Sequence, residues 1–191
     1  SANSPVSKAE ATSAFGIVDV TGGEAGATMN VLFTGSNGQS ITKSATGPSD
    51  SIQLTESDLN TLGDGDVAVT ATQTDTAGNE SPASSPLEFV LDSIAPEVTG
   101  FSSSSPAGEY GLGATITLIA SLSEPAAAGQ SFFATLNTGS SVEFTTSAGG
   151  LTLTGTYTVA GTHNANPLAI ATIISSGSVA DTSGNPLSTD L

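Results

Sequence analysis

The sequence predicts an all-β chain of two tandem antiparallel sandwiches, with about seven short strands in each. Three observations lead there. Apolar and polar residues alternate with a period of two along several segments, the spacing of strands with one buried face. Turn-forming pairs such as Asn37-Gly38 and Gly149-Gly150 punctuate those segments. The pentapeptide Asp75-Thr76-Ala77-Gly78-Asn79 returns as Asp181-Thr182-Ser183-Gly184-Asn185, 106 positions later, which is a period of one domain.

In chain order, residues 1–13 read as a linker, the remnant of a preceding connection, and 14–95 as the first domain. Thr55–Leu62 is the one helical segment. Thr55 with Asp58 three residues on offers a capping-box-like start, and Glu56 and Asp58 suit the positive end of a helix of one or two turns crossing between sheets. Val67, Val69 and Ala71 then point to one face of a strand, and Leu87, Phe89 and Leu91 form the closing strand. Asp92-Ser93-Ile94-Ala95-Pro96 marks a boundary near Ala95, because proline holds itself and its predecessor extended.

The second domain occupies 96–191. Across Thr115–Leu122 the residues Ile116, Leu118, Ala120 and Leu122 face inward. Leu151, Leu153, Gly155, Tyr157 and Val159 do the same against Thr152, Thr154, Thr156 and Thr158, which leaves a threonine ladder outside.

Composition removes whole classes of function. The 191 residues include 18 acidic side chains and only two basic ones, Lys8 and Lys43, for a net charge of −16. Wrapping nucleic acid needs clustered Lys and Arg, so that function is excluded. The same electrostatics disfavour anionic membranes, and no apolar run approaches the roughly 18 residues of a spanning helix. The absence of Cys removes disulfides, zinc–thiolate sites and thiol nucleophiles together. No signal peptide is present, so the expectation is a mature fragment or a piece of something longer.

Catalysis finds little support. The single histidine, His163, lies in the polar stretch Gly161-Thr162-His163-Asn164-Ala165-Asn166-Pro167, and no Gly-x-Ser-x-Gly elbow accompanies it. A chain with no Trp and only Tyr110 and Tyr157 has almost no aromatic platform for sugars. Gly22-Gly23-Glu24-Ala25-Gly26 lacks the Lys and Ser/Thr of a phosphate loop and reads as a turn. The chain is expected not to be an enzyme.

Asp64-Gly65-Asp66-Val67-Ala68-Val69-Thr70-Ala71-Thr72-Gln73-Thr74 runs into the Asp75–Asn79 turn, followed by Leu91-Asp92-Ser93-Ile94-Ala95-Pro96. This pattern resembles the bacterial immunoglobulin-like repeats of giant secreted adhesins, including the RTX type. The second half is similar to a related Ig-like or cadherin-like repeat through Gly113-Ala114-Thr115-Ile116-Thr117-Leu118, Leu122-Ser123-Glu124-Pro125, Thr154–Val159 and the Asp181–Asn185 turn. The resemblance implies two tandem Ig-like sandwiches acting as a calcium-stiffened spacer on a bacterial cell surface. The expected partners are neighbouring repeats of the same chain, in a monomer.

Ca2+ takes six to eight oxygens, so its ligands must be found where carboxylates converge. The Ig-like topology that the resemblance implies brings Glu124 and Asp181 to the end of the second domain facing the first, where Asp92 ends the first domain and Glu24, Asp64 or Asp66 could add to the set; Glu97 is also close in sequence. Asp75 would serve the opposite end, where Asn37 stands in the loop corresponding to that of Glu124. The plain alternative for each Asp-x-x-Gly-Asn turn is structural, since Asp bonds the backbone two residues on and Gly and Asn accept positive φ. The rival functions are a saccharide- or host-protein-binding module, marked by a concave aromatic or amide-lined patch, and an accessory domain of a secreted polysaccharide-active enzyme.

Overall fold

A computed structural model describes residues 5–146, 150–174 and 177–188. The chain divides between Ile94 and Ala95 into two compact units. Both are built from β-sheet.

The first unit contains β1 (Val6–Ser7), α1 (Lys8–Ala11), β2 (Val18–Thr21), β3 (Thr28–Gly35), β4 (Ser40–Thr46), β5 (Ser49–Ile52), α2 (Glu56–Leu62), β6 (Gly65–Thr74) and β7 (Leu87–Asp92). Five strands form a sheet in the order β1-β7-β6-β3-β4, and β2 pairs with β5 in a second. Alternation along β3 buries Met29, Val31 and Phe33, and the antiparallel register sets Phe33 beside Val69 and Gly35 beside Val67 of β6. Val18 and Ile52 come from the second sheet to the same core, with Leu54 and with Leu59 and Leu62 of α2.

The capping box of α2 forms as its sequence predicts. Thr55 Oγ1 accepts from the Asp58 N–H, and an Asp58 oxygen accepts from the Thr55 N–H at 2.7 Å. Gly63, at φ 66°, closes the helix by donating its N–H to Leu59 O. The Asn37-Gly38 turn joins β3 to β4, with Gly38 at φ 79°.

The stretch expected as a linker is part of this unit. Val6 and Ser7 pair in parallel with Leu91 and Asp92, the one parallel pairing among the described residues of an otherwise antiparallel structure. Ser7 and Glu10 make a second capping box on α1, and Ala11 is buried. Two-residue strands and one-turn helices carry too short a pattern to be read from periodicity.

The second unit contains β8 (Val98–Ser103), β9 (Thr115–Leu122), β10 (Ser131–Leu136), β11 (Ser141–Thr146), β12 (Thr152–Thr158) and β13 (Ile170–Ile174). Among the described residues these six strands form a single sheet, β13-β10-β11-β12-β9-β8, in place of the two sheets and about seven strands expected. The sheet curls over its own core. Phe101 of β8 meets Phe144 of β11 edge-on at 5.6 Å although two strands separate them in the sheet. Phe132 stacks on Phe144 at 5.2 Å, and Leu136, Leu153 and Ala120 fill the space around them.

The period-two reading holds along β9, where Ile116, Leu118, Ala120 and Leu122 are all buried. It holds in β12 for Leu153, Gly155 and Tyr157, with Thr152, Thr154, Thr156 and Thr158 outside. A Cβ at Gly155 would meet Val142 Cγ1 at 2.7 Å and Glu143 O at 2.8 Å, so glycine permits the close approach of β11. One inward assignment fails at a strand end. Leu151 precedes β12 and is 50% exposed. The Gly149-Gly150 turn falls at Gly149 outside the described residues.

Candidate cation-binding site

The two Asp-x-x-Gly-Asn segments fold into the same turn. In each, the first Asp N–H donates to the Asn carbonyl, at 3.0 Å in Asp75–Asn79 and 3.1 Å in Asp181–Asn185. Asp75 Oδ1 accepts from the N–H groups of Ala77 and Asn79 at 2.9 and 2.8 Å, and Oδ2 accepts from Asn79 Nδ2 at 2.8 Å. These bonds, the Asn79 side chain's first and then its backbone's, hold the Asp75 carboxyl below the usual carboxylate range. Asp181 Oδ1 accepts from Ser183, Gly184 and Asn185 N–H at 2.8, 2.6 and 2.9 Å, and Oδ2 from Asn185 Nδ2 at 2.8 Å. Gly78 and Gly184 supply the positive φ, at 91° and 98°. The structural role of both turns is therefore real.

Their surroundings differ. Asp75 is half-buried, whereas Asp181 is only 5% exposed and forms a bridge with Ala126 in the β9–β10 connection. Gln130 in the same connection fixes the approach, its Oε1 accepting from Ala180 N–H at 2.7 Å. At the start of that connection Ser123 exchanges hydrogen bonds with the backbone of Glu97, which steadies the next residue, Glu124. A carboxylate oxygen of Glu124 consequently lies within 4.8 Å of one of Asp181. Gln130 was not legible beforehand, because an uncharged side chain in a loop carries no motif.

This pair suits a hard cation. Its donors are carboxylate oxygens, which favour Ca2+ or Mg2+ over zinc or copper. A carboxylate oxygen holding one hydrogen bond, as Asp181 Oδ2 does with Asn185, still has capacity toward a metal. Neither lysine of the chain lies beyond Lys43, so no Lys or Arg of the second unit offsets the two charges.

The other acidic candidates are placed in the first unit. Asp92 ends β7, two residues before the division at Ile94. Asp64 Oδ1 accepts from both the N–H and the hydroxyl of Ser93, at 2.9 and 2.7 Å, which makes it a backbone anchor. Asp66 is exposed on β6, opposite Val90 of β7. Glu24 lies in the β2–β3 connection, with its N–H donating to Gln73 Oε1 at 3.0 Å.

That connection runs beside the Asp75 turn, since a Cβ at Gly26 would touch Thr76 Cγ2 at 3.5 Å. The loop beside the Asp75 turn is thus the one that carries Glu24 and not that of Asn37. Asn37 instead belongs to the β3–β4 hairpin, where its Oδ1 accepts from Gln39 N–H and its Nδ2 donates to Thr61 O.

His163 contacts a serine, but with the wrong proton arrangement for a base. Its Nδ1 accepts the Ala160 N–H at 3.0 Å and also meets the Tyr157 hydroxyl at 2.8 Å. A backbone N–H can only donate, so in the neutral ring the proton sits on Nε2 and points to Ser140 Oγ at 3.0 Å. That tautomer cannot take a proton from Ser140.

No protein-family model and no curated protein matches the chain. Among solved structures, it is similar to one concerned with host cell surface retention of a 1.5-MDa bacterial ice-binding adhesin, at 20% identity and a TM-score of 0.38, covering 82% of this chain and 50% of that one. It is also similar to a crystal structure of a tetra-tandem repeat in the extending region of a large adhesion protein, at 21% identity and a TM-score of 0.30, covering 72% of this chain and 34% of that one. The chain thus spans half or less of the length of both.

Proposed function

We propose that this chain is an extender module of a bacterial cell-surface adhesin, a non-enzymatic spacer of tandem Ig-like units stiffened by Ca2+ where they join. The observation that carries the reading is the convergence of Glu124 and Asp181 in a unit that has no Lys or Arg to neutralise them. The chain's division into two β units and the repeated Asp turn support a tandem arrangement. Asp92 is the natural third ligand on grounds of connectivity. It lies four positions before Pro96, whose carbonyl accepts from Ser188 N–H within the second unit, so the tether is short.

A bound divalent ion would offset the repulsion among these carboxylates and convert a like-charged hinge into a fixed one. Because binding favours the folded state, Ca2+ would also raise thermal stability by mass action. The test is small-angle scattering and a thermal melt on the same samples, with Ca2+ and with excess chelator. Extension together with a higher melting temperature is expected with Ca2+. If neither changes, the chain is a passive spacer. Calorimetric titration adds a residue-level check, in which Asp181→Ala weakens Ca2+ binding and Glu56→Ala, on α2, does not.

A further inference from the structure

The second unit holds a cavity of about 1290 Å3 that the extender reading does not use. It opens between the β8–β9 connection and the segment 163–169 that leads into β13, so its walls come from the two edge strands of the curled sheet and their loops. We propose that this cavity binds a neutral oligosaccharide.

The argument is one of chemical matching. A sugar ring offers an apolar C–H face and a rim of hydroxyls, so a site for it needs apolar or aromatic surface flanked by planar polar groups. Phe101 and Leu118 supply apolar surface at the base. Tyr110 lines the wall, and its hydroxyl donates to Pro106 O at 2.5 Å, which holds the ring in one orientation. The chain has only two tyrosines, and the second, Tyr157, lines the same cavity. Tyr157 is itself buried, 4% exposed with its hydroxyl on His163, so the aromatic faces left for a sugar ring are those of the half-buried Tyr110 and Phe101.

The polar groups are also in place. Asn164 and Asn166 are exposed on one lip and make no side-chain hydrogen bond to another described residue. Each amide offers two donors and an acceptor, the pairing that adjacent sugar hydroxyls accept. Glu109, exposed on the facing wall, adds a carboxylate acceptor. The volume exceeds the roughly 300–1,000 Å3 of drug-sized pockets, which favours several linked rings over one.

Charge decides among saccharides. With no Lys or Arg anywhere beyond Lys43, the unit cannot balance a sialic acid, uronic acid or sulfated sugar, and Glu109 would repel one. A purely apolar ligand would leave the two amides and the carboxylate unmatched. The ligand class that remains is uncharged and hydroxyl-rich. The cavity is lined by one unit alone, so this proposal is independent of the cation reading.

The experiment is a glycan array with neutral and acidic oligosaccharides on the full chain in chelator, followed by calorimetry and mapping of amide chemical shifts with the best binder. Neutral glycans should bind and acidic ones should not. Shifts should cluster at residues 101–110 and 163–169, and an Asn164→Ala, Asn166→Ala double variant should bind about tenfold or more weakly. Its melting temperature should match the parent, because both side chains are exposed. The proposal is overturned by no neutral binder, a preference for acidic glycans or extended peptides, or shifts mapping elsewhere. It also fails if the folded double variant keeps full affinity.

Discussion

Asp64 and Ser93 are joined twice: one carboxylate oxygen of Asp64 receives both the backbone N–H and the hydroxyl of Ser93, at 2.9 and 2.7 Å. This ties the residue that follows β7 back to the turn that precedes β6. It holds the last turn of chain in the first unit, immediately after Asp92, in a defined path. Asp64→Ala should cost the first unit about 1–2 kcal/mol, since two hydrogen bonds to a partly buried charged group are lost. Chemical denaturation checks this, and a Ser93→Ala variant, which keeps the backbone bond, should lose less.

The two Asp turns share most of their bonds but lie at different depths, so the same mutation should have unequal effects. Asp181→Ala leaves three backbone N–H groups and the Asn185 amide without their acceptor in a buried setting, a loss of roughly 2–4 kcal/mol. Asp75→Ala, where water can replace the side chain, should lower the melting temperature less. Both melts are to be run in chelator, which separates the structural role of Asp181 from its role toward a cation. Equal losses would mean that burial of the second turn contributes nothing.

Acid should weaken the first unit. For Asp58, burial is the largest single influence and pushes its pKa up, but the bonds from Lys43 and from the Thr55 hydroxyl and N–H together outweigh it and leave it below 3.8. Hydrogen bonding and charge from Lys8 hold Glu56 below 4.5, and Asn79 does the same for Asp75. A carboxyl whose folded pKa is depressed contributes stability that is complete above its unfolded pKa, near 4, and is lost as pH falls through the folded value. Melts between about pH 7 and pH 2.5 should therefore be steady down to about pH 4 and then fall. Asp58→Asn should flatten part of that fall, and an unchanged profile would remove the Lys43–Asp58 pair from the explanation.

Each unit has its own aromatic centre, Phe33 in the first and Phe144 in the second, both fully buried. Truncating either to Ala should cost about 3–5 kcal/mol. Scanning calorimetry should show one transition moved by Phe33→Ala and the other by Phe144→Ala. If both variants shift a single common transition, the chain unfolds as one cooperative body.

What was legible beforehand follows the length of the pattern. Eight residues of strict alternation in β9 and seven in β12 leave one choice of inward face, and Thr55 with Asp58 has a chemistry specific to a helix start. Sheet order was not legible. Whether β11 links β12 to β10 in one curled sheet depends on the pairs Thr145–Thr154 and Thr146–Leu153, which no local pattern encodes. The Asp181 turn was visible as a repeat, and Glu124 as its companion through the resemblance. The Asn37 correspondence failed because turn residues were matched without knowing which strands they joined. The cavity was invisible for a related reason, since its walls come from loops with no period.

The parallel pairing of Val6 and Ser7 with Leu91 and Asp92 sets the incoming strand of the first unit alongside its outgoing one. Tension applied through the chain would pull β1 toward its N-terminal end and β7 toward its C-terminal end, sliding the two strands past each other. Under such shear the hydrogen bonds between them share the load at once, whereas a hairpin pulled from its open end breaks one pair at a time. Under tension applied through the chain, the short β1 strand would thus behave as a mechanical latch on β7.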